Sequence, residues 1–120
     1  MSASHRLRFT ILEHDHPFLH WDLLIQQGDV LATWRLLRCP EANVWLPAEV
    51  LPYHRLMYLD YEGPVSGDRG FVSRFTSGLL VELPNLDNTA IKKFQLFDTT
   101  MANTATCRGF DTKQPEWRFE

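Results

Sequence analysis

The stretch His20-Trp21-Asp22-Leu23-Leu24-Ile25-Gln26-Gln27-Gly28-Asp29-Val30-Leu31-Ala32-Thr33-Trp34-Arg35-Leu36-Leu37 decides the fold. Two β-prone runs, residues 20–26 and 30–37, flank the tight-turn sequence Gln27-Gly28-Asp29, so together they read as a hairpin. In the second run Val30, Ala32, Trp34 and Leu36 share one face, and Leu31, Thr33, Arg35 and Leu37 share the other. Trp34 is read as core. Upstream, Leu7, Phe9 and Ile11 alternate with Arg8, Thr10 and Leu12, a period of two that marks another strand.

Strand signals continue outward. Residues 39–43 read as a loop, residues 57–61 as a short strand ended by Gly63-Pro64, and residues 66–70 as a turn. Residues 71–75 and 79–83 suggest a second hairpin about Thr76-Ser77-Gly78. Residues 93–97 and 117–119 are the final strands, and residues 47–51 read as a short helical or 3₁₀ segment. Ile91, Phe94 and Phe97 are spaced by three, so a helix over 90–97 stands open beside the strand reading. The expected fold is all-β or mainly β: a small antiparallel β-barrel, closed or partly open, with one short helical segment.

The chain has 120 residues, one domain spanning 1–120 on size grounds. Hydrophobic residues make up 44% and aromatics 12%, which excludes a disordered chain. No apolar run approaches the roughly 18 residues that span a membrane, and residues 1–8 lack the apolar stretch of a secretory signal. A cytoplasmic monomer without membrane partners is expected. Cys39 and Cys107 form no CxxC pair and are read as reduced, buried thiols. Net charge is −3, from 12 Lys+Arg against 15 Asp+Glu, which argues against broad duplex binding.

Chemistry concentrates in Glu13-His14-Asp15-His16-Pro17-Phe18-Leu19-His20-Trp21-Asp22. His20 and Asp22 lie two apart on a strand and face the same way. His14, ahead of the Pro17 bend, can fold back over that face. Two imidazoles and a carboxylate form a frequent ligand set for Zn or Mn that leaves positions open for water and substrate. A solvated turn in which Asp15 or Asp22 anchors the loop is the alternative. His5 and His16 are read as exposed, and Asp15 as a brace for the loop or for a histidine tautomer. His54 and Tyr58 form a second pair able to serve a phosphate.

These blocks resemble the 3′-phosphoesterase domain of bacterial DNA ligase D. That family reads H-D-x(4)-H-x-D-F-R-L-E, then a glycine turn and L-K-S-W-A-V-P-K-G-P, then D-H-P-L-D-Y-x-x-F-E-G. Here His14-Asp15, His20 and Asp22 match the first block, Trp34 and Pro40 fall in the second, and His54, Tyr58 and Glu62-Gly63 keep the spacing of the third. The resemblance runs from Arg8 to about Gly78.

It implies a small β-barrel that removes 3′-phosphates and 3′-ribonucleosides from nucleic-acid ends with a divalent metal, Mn²⁺ first and Zn²⁺ second. Its metal ligands fall on His14, His20 and Asp22. Its phosphate contacts fall on His54 and Tyr58, and its lysine falls on Arg38, which supplies the remaining positive charge. Partners implied are a nucleic-acid 3′ end or a smaller phosphoester, and a repair ligase acting in trans. Two departures matter: the family's arginine falls on Leu24, which can neither donate a hydrogen bond nor neutralise charge, and a further family arginine has no counterpart in Val44-Trp45-Leu46-Pro47. Arg55 or Arg69 could compensate from nearby loops. Three readings follow: a metal-dependent phosphoesterase, a metal-binding but catalytically degenerate module, and a barrel without metal that serves structure or interaction.

Overall fold

In the computed structural model, which describes residues 6–85 and 90–120, the expected hairpin is the centre of a larger ring. Strand β1 (Leu7–His14) pairs antiparallel with β2 (His20–Gln27), and β2 with β3 (Val30–Leu36). Next come β4 (Leu46–Arg55), a 3₁₀ turn (Leu56–Leu59), β5 (Gly63–Pro64), β6 (Phe71–Glu82), β7 (Ile91–Phe97), β8 (Thr104–Arg108) and β9 (Glu116–Phe119). The sheet order is β1-β2-β3-β4-β9-β8-β7-β6, and β6 pairs back on β1. Eight strands therefore close an antiparallel barrel, with β5 as an extra rung beside β6. Closure removes the unpaired edges of an open sheet. No helix among the described residues is long and apolar enough to cross a membrane.

The interior holds alternate residues of each strand: Phe9 and Ile11, Trp21, Leu23 and Ile25, Trp34 and Leu36, Leu46 and Ala48, with Trp117 and Phe119. A second apolar cluster of Leu12, Leu24, Leu31, Leu59 and Val72 lies on the outer face of β1–β3. Residues 20–25 are consequently buried on both faces. The 3₁₀ turn seats Leu59 in this cluster, and Arg8 pairs with Asp60 just beyond it.

Two bulges turn side chains onto that outer face. Between Leu31 and Thr33 the β3–β4 register shifts by one residue, so β4 carries an extra residue near Pro52. A one-residue shift reverses the face of every later side chain. Ala48 therefore points inward, whereas His54 lies opposite Leu31 on the outside. A matching shift between Ile11 and Leu12 inserts Phe75 into β6, so Leu80 points inward and Val72 outward.

Several sequence expectations are corrected. Residues 47–51 are strand: Pro47 stands at the short β4–β9 seam and Pro52 at the bulge, the positions where a strand tolerates a missing N–H. The helical turn falls instead on Leu56–Leu59, where residues 57–61 read as strand, because one tight turn drops Leu59 into the outer cluster. Residues 71–82 form one bulged strand, not a hairpin about Gly78. A Cβ on Gly78 would lie 2.5 Å from the carbonyl oxygen of Phe97, so this glycine serves a close backbone approach. Residues 91–97 are strand, as the strand reading had it, and the helix alternative over 90–97 falls away. Strand β8 had no signal, since Thr-Ala-Thr-Cys-Arg lacks bulky β-formers. Cys39 is exposed, and only Cys107 is buried, its thiol pKa pushed up to about 12 by that burial.

Candidate metal centre

His14 ends β1, and His20 and Asp22 open β2, with His14 directly opposite His20 in the register. All three side chains emerge on the outer face. One potential ligand atom from each lies within 4.8 Å of the others. Nδ1 of His14 is 3.6 Å from Oδ2 of Asp22, and Nε2 of His20 is 3.1 Å from Oδ1. His20 and Asp22 are almost wholly buried, and His14 is half-buried.

The outer nitrogens of both rings are committed. Nε2–H of His14 donates to the carbonyl of Arg69 at 2.8 Å, and Nδ1–H of His20 to that of Phe18 at 2.8 Å. A carbonyl only accepts, so the neutral rings turn bare lone pairs toward the carboxylate. Nε2 of His20 and Oδ1 of Asp22 are buried without a hydrogen-bond partner. Two facing acceptors require a positive charge. The Asp22 carboxylate also favours positive charge on His14, raising its pKa above its usual value. Burial opposes ionisation of Asp22, but the imidazoles of His14 and His20 outweigh it and hold its pKa at about 2. A divalent cation would satisfy all three groups together, and carbonyl-oriented histidines are the usual support of such a site. The donor set fits a metal of the Zn or Mn type.

Asp15 acts on this site through the turn at residues 65–70. Its Oδ1 accepts from the Phe71 N–H at 2.8 Å, which pins the turn whose Arg69 carbonyl orients His14. Gly70, at φ +80°, lets the backbone pass: a Cβ there would sit 2.2 Å from that carboxylate oxygen. Gly70→Ala should therefore release His14 and weaken metal binding by roughly 10- to 100-fold. Calorimetric titration with Zn²⁺ measures this, and an unchanged affinity would show that the turn does not set the histidine.

The cluster opens into a cleft of about 480 Å³ lined by His14, Asp22, His54, Tyr58, Arg35 and Arg69, among others. Nδ1–H of His54 donates to the Pro52 carbonyl at 3.0 Å, leaving Nε2 free. The Tyr58 ring stands edge-on to His54 at 6.0 Å and to Tyr61 at 5.8 Å. The fold thus brings five of the sequence candidates together: His14, His20, Asp22, His54 and Tyr58. His16 is half-buried on the cleft wall rather than exposed, because the 65–70 turn packs on it. His5 lies outside the described residues.

Arg38 is not among the cleft residues. It stands exposed past the end of β3, 3.8 Å from Glu41. The guanidinium carried into the cleft by β3 is Arg35, a residue not singled out from the sequence. A signal for it existed: Gln27 pairs with Val30 across the Gly28-Asp29 turn, and counting back along that register puts Asp22 opposite Arg35. Leu24 lines the cleft too, yet is fully buried in the outer apolar cluster. No family model matches this chain, and no curated protein matches it either.

Proposed function

We propose that the protein is a divalent-metal-dependent phosphoesterase acting on phosphate at a nucleic-acid 3′ end or on a related phosphoester, like the ligase D domain it resembles. The observation that supports this most is the orphaned acceptor pair of His20 and Asp22 beneath a cleft that also holds His54 and Tyr58. A Mn²⁺ or Zn²⁺ ion held by His14, His20 and Asp22 would supply a Lewis acid and a bound water of lowered pKa. The chain's own groups divide the remaining work. His54, fixed by its bond to Pro52, donates from Nε2–H to a phosphoryl or leaving oxygen when the ring is protonated. Tyr58, held against two rings, donates its phenolic hydrogen to orient the phosphate.

A second reading, a metal-binding module without turnover, is favoured by Leu24. The resemblance implies an arginine there, and this leucine has become part of a packed apolar cluster. Losing an oriented cationic donor costs orders of magnitude in phosphoryl transfer.

The deciding experiment titrates the protein with Mn²⁺ or Zn²⁺ while the His14 and His20 ring signals are followed by NMR. A short DNA with a 3′-phosphate is then added. Metal at both rings followed by phosphate release is the expected result. Metal binding with the phosphate retained would leave the module reading. Rings untouched by metal would defeat both. Turnover that rises in Leu24→Arg at unchanged metal affinity would mark the natural chain as a weakened enzyme.

A further inference from the structure

Among the described residues three arginines line the cleft, Arg35, Arg55 and Arg69, and Arg69 is committed to Ser66. Arg55 is exposed at the end of β4. Arg35 differs. It is half-buried on the outer face of β3, and its Nε is buried without a hydrogen-bond partner among the described residues. Asp22 stands directly opposite on one side and Glu49 on the other, yet Arg35 forms no ion pair among the described residues. A guanidinium serving only as counter-charge would close on one of these carboxylates. Instead it lies against the Phe18 ring, 5.2 Å from guanidinium carbon to ring centroid. Phe18 is half exposed, and its ring also stands edge-on to His20 at 5.5 Å.

We propose that Arg35 is the residue with which the cleft grips a phosphoryl group beside the His14–His20–Asp22 cluster, and that Phe18 is a positioning residue for its guanidinium. Cation–π attraction to a ring uses none of the guanidinium's N–H donors and leaves them available to an anion. Those donors match two oxygens of a phosphate in a forked contact. The identity of the anion as a phosphoester rests on the function proposed above, but phosphate binding is measurable without turnover.

The test measures the affinity of the Zn²⁺-loaded protein for inorganic phosphate and for a short single-stranded DNA bearing a 3′-phosphate. Phosphate release from that DNA and Zn²⁺ affinity are read in parallel. Arg35→Gln should weaken both phosphate affinities on the order of 10- to 100-fold at unchanged Zn²⁺ affinity. Arg35→Lys, which keeps charge but not the fork, should fall between. Phe18→Ala should weaken phosphate binding and Phe18→Trp should restore it, a rescue that a purely structural role would not produce. Phosphate affinity unchanged in Arg35→Gln would overturn the proposal. So would loss of Zn²⁺ rather than phosphate, the mark of a counter-charge to Asp22, or no phosphate binding by the natural chain. Arg35-dependent binding without release from DNA would keep this inference and remove the enzyme. Release that survives Arg35→Gln would do the reverse.

Discussion

Asp22→Asn is expected to abolish divalent-metal binding while leaving the fold intact. The substitution keeps the shape of the side chain and removes the charge that faces both inner imidazole nitrogens, at 3.1 and 3.6 Å. A neutral amide is a poor ligand for the metals this donor set suits, so affinity should fall by at least about 100-fold. Stability of the metal-free protein should respond in the opposite sense at a pH well above the imidazole range. There the natural chain holds two bare acceptors face to face, whereas the amide can donate to Nε2 of His20. A site that gains stability when its function is removed is one kept strained for that function. Zn²⁺ calorimetry and thermal melts of the metal-free proteins at alkaline pH measure the two effects. Metal affinity retained within about tenfold would refute the ligand assignment.

Trp117→Ala carries the largest expected loss of stability. The shortest seam in the barrel wall is where β4 meets β9, with two register pairs, Leu46 with Trp117 and Pro47 with Glu116. The N–H groups of Ala48 and Val50 extend it by bonds to the carbonyls of Pro115 and Lys113. Packing supplies the rest. The Trp117 indole is fully buried, stacked on Phe94 at 5.6 Å and on Phe119 at 6.4 Å, with Trp34 edge-on at 5.1 Å. Removing it opens a cavity at the seam and should cost about 3–5 kcal/mol. Domains of this kind are stable by only about 5–15 kcal/mol. Urea unfolding should show a much lower midpoint at a similar slope. The His14–His20–Asp22 cluster sits on β1 and β2, away from this seam, so the folded fraction should keep whatever Zn²⁺ affinity the natural chain has. A loss below about 1 kcal/mol would show that backbone pairing alone holds this seam.

Legibility differed from element to element for physical reasons. The β2–β3 hairpin was readable because its turn, with Gly28 at φ +63°, is written in adjacent residues. The His20 and Asp22 pair was readable because side-chain parity along β2 is local, and His14 joins it through the β1–β2 register. Gly78 misled because a glycine at a turn and a glycine beneath a neighbouring carbonyl look alike until Phe97 is in place. Arg38 misled because it lies two residues past the end of β3, where alternation no longer aims a side chain.

By itself the sequence determined the β-class, the central hairpin and the ligand-type residues of one face, since period-two alternation and turn chemistry act over a few residues. Only the tertiary structure decided that this face is the outside of the barrel, roofed by the 3₁₀ turn. It alone decided that His54 and Val72 join that face. Their parity is reversed by two bulges, and a bulge is defined by the partner strand it is counted against, not by the strand that carries it.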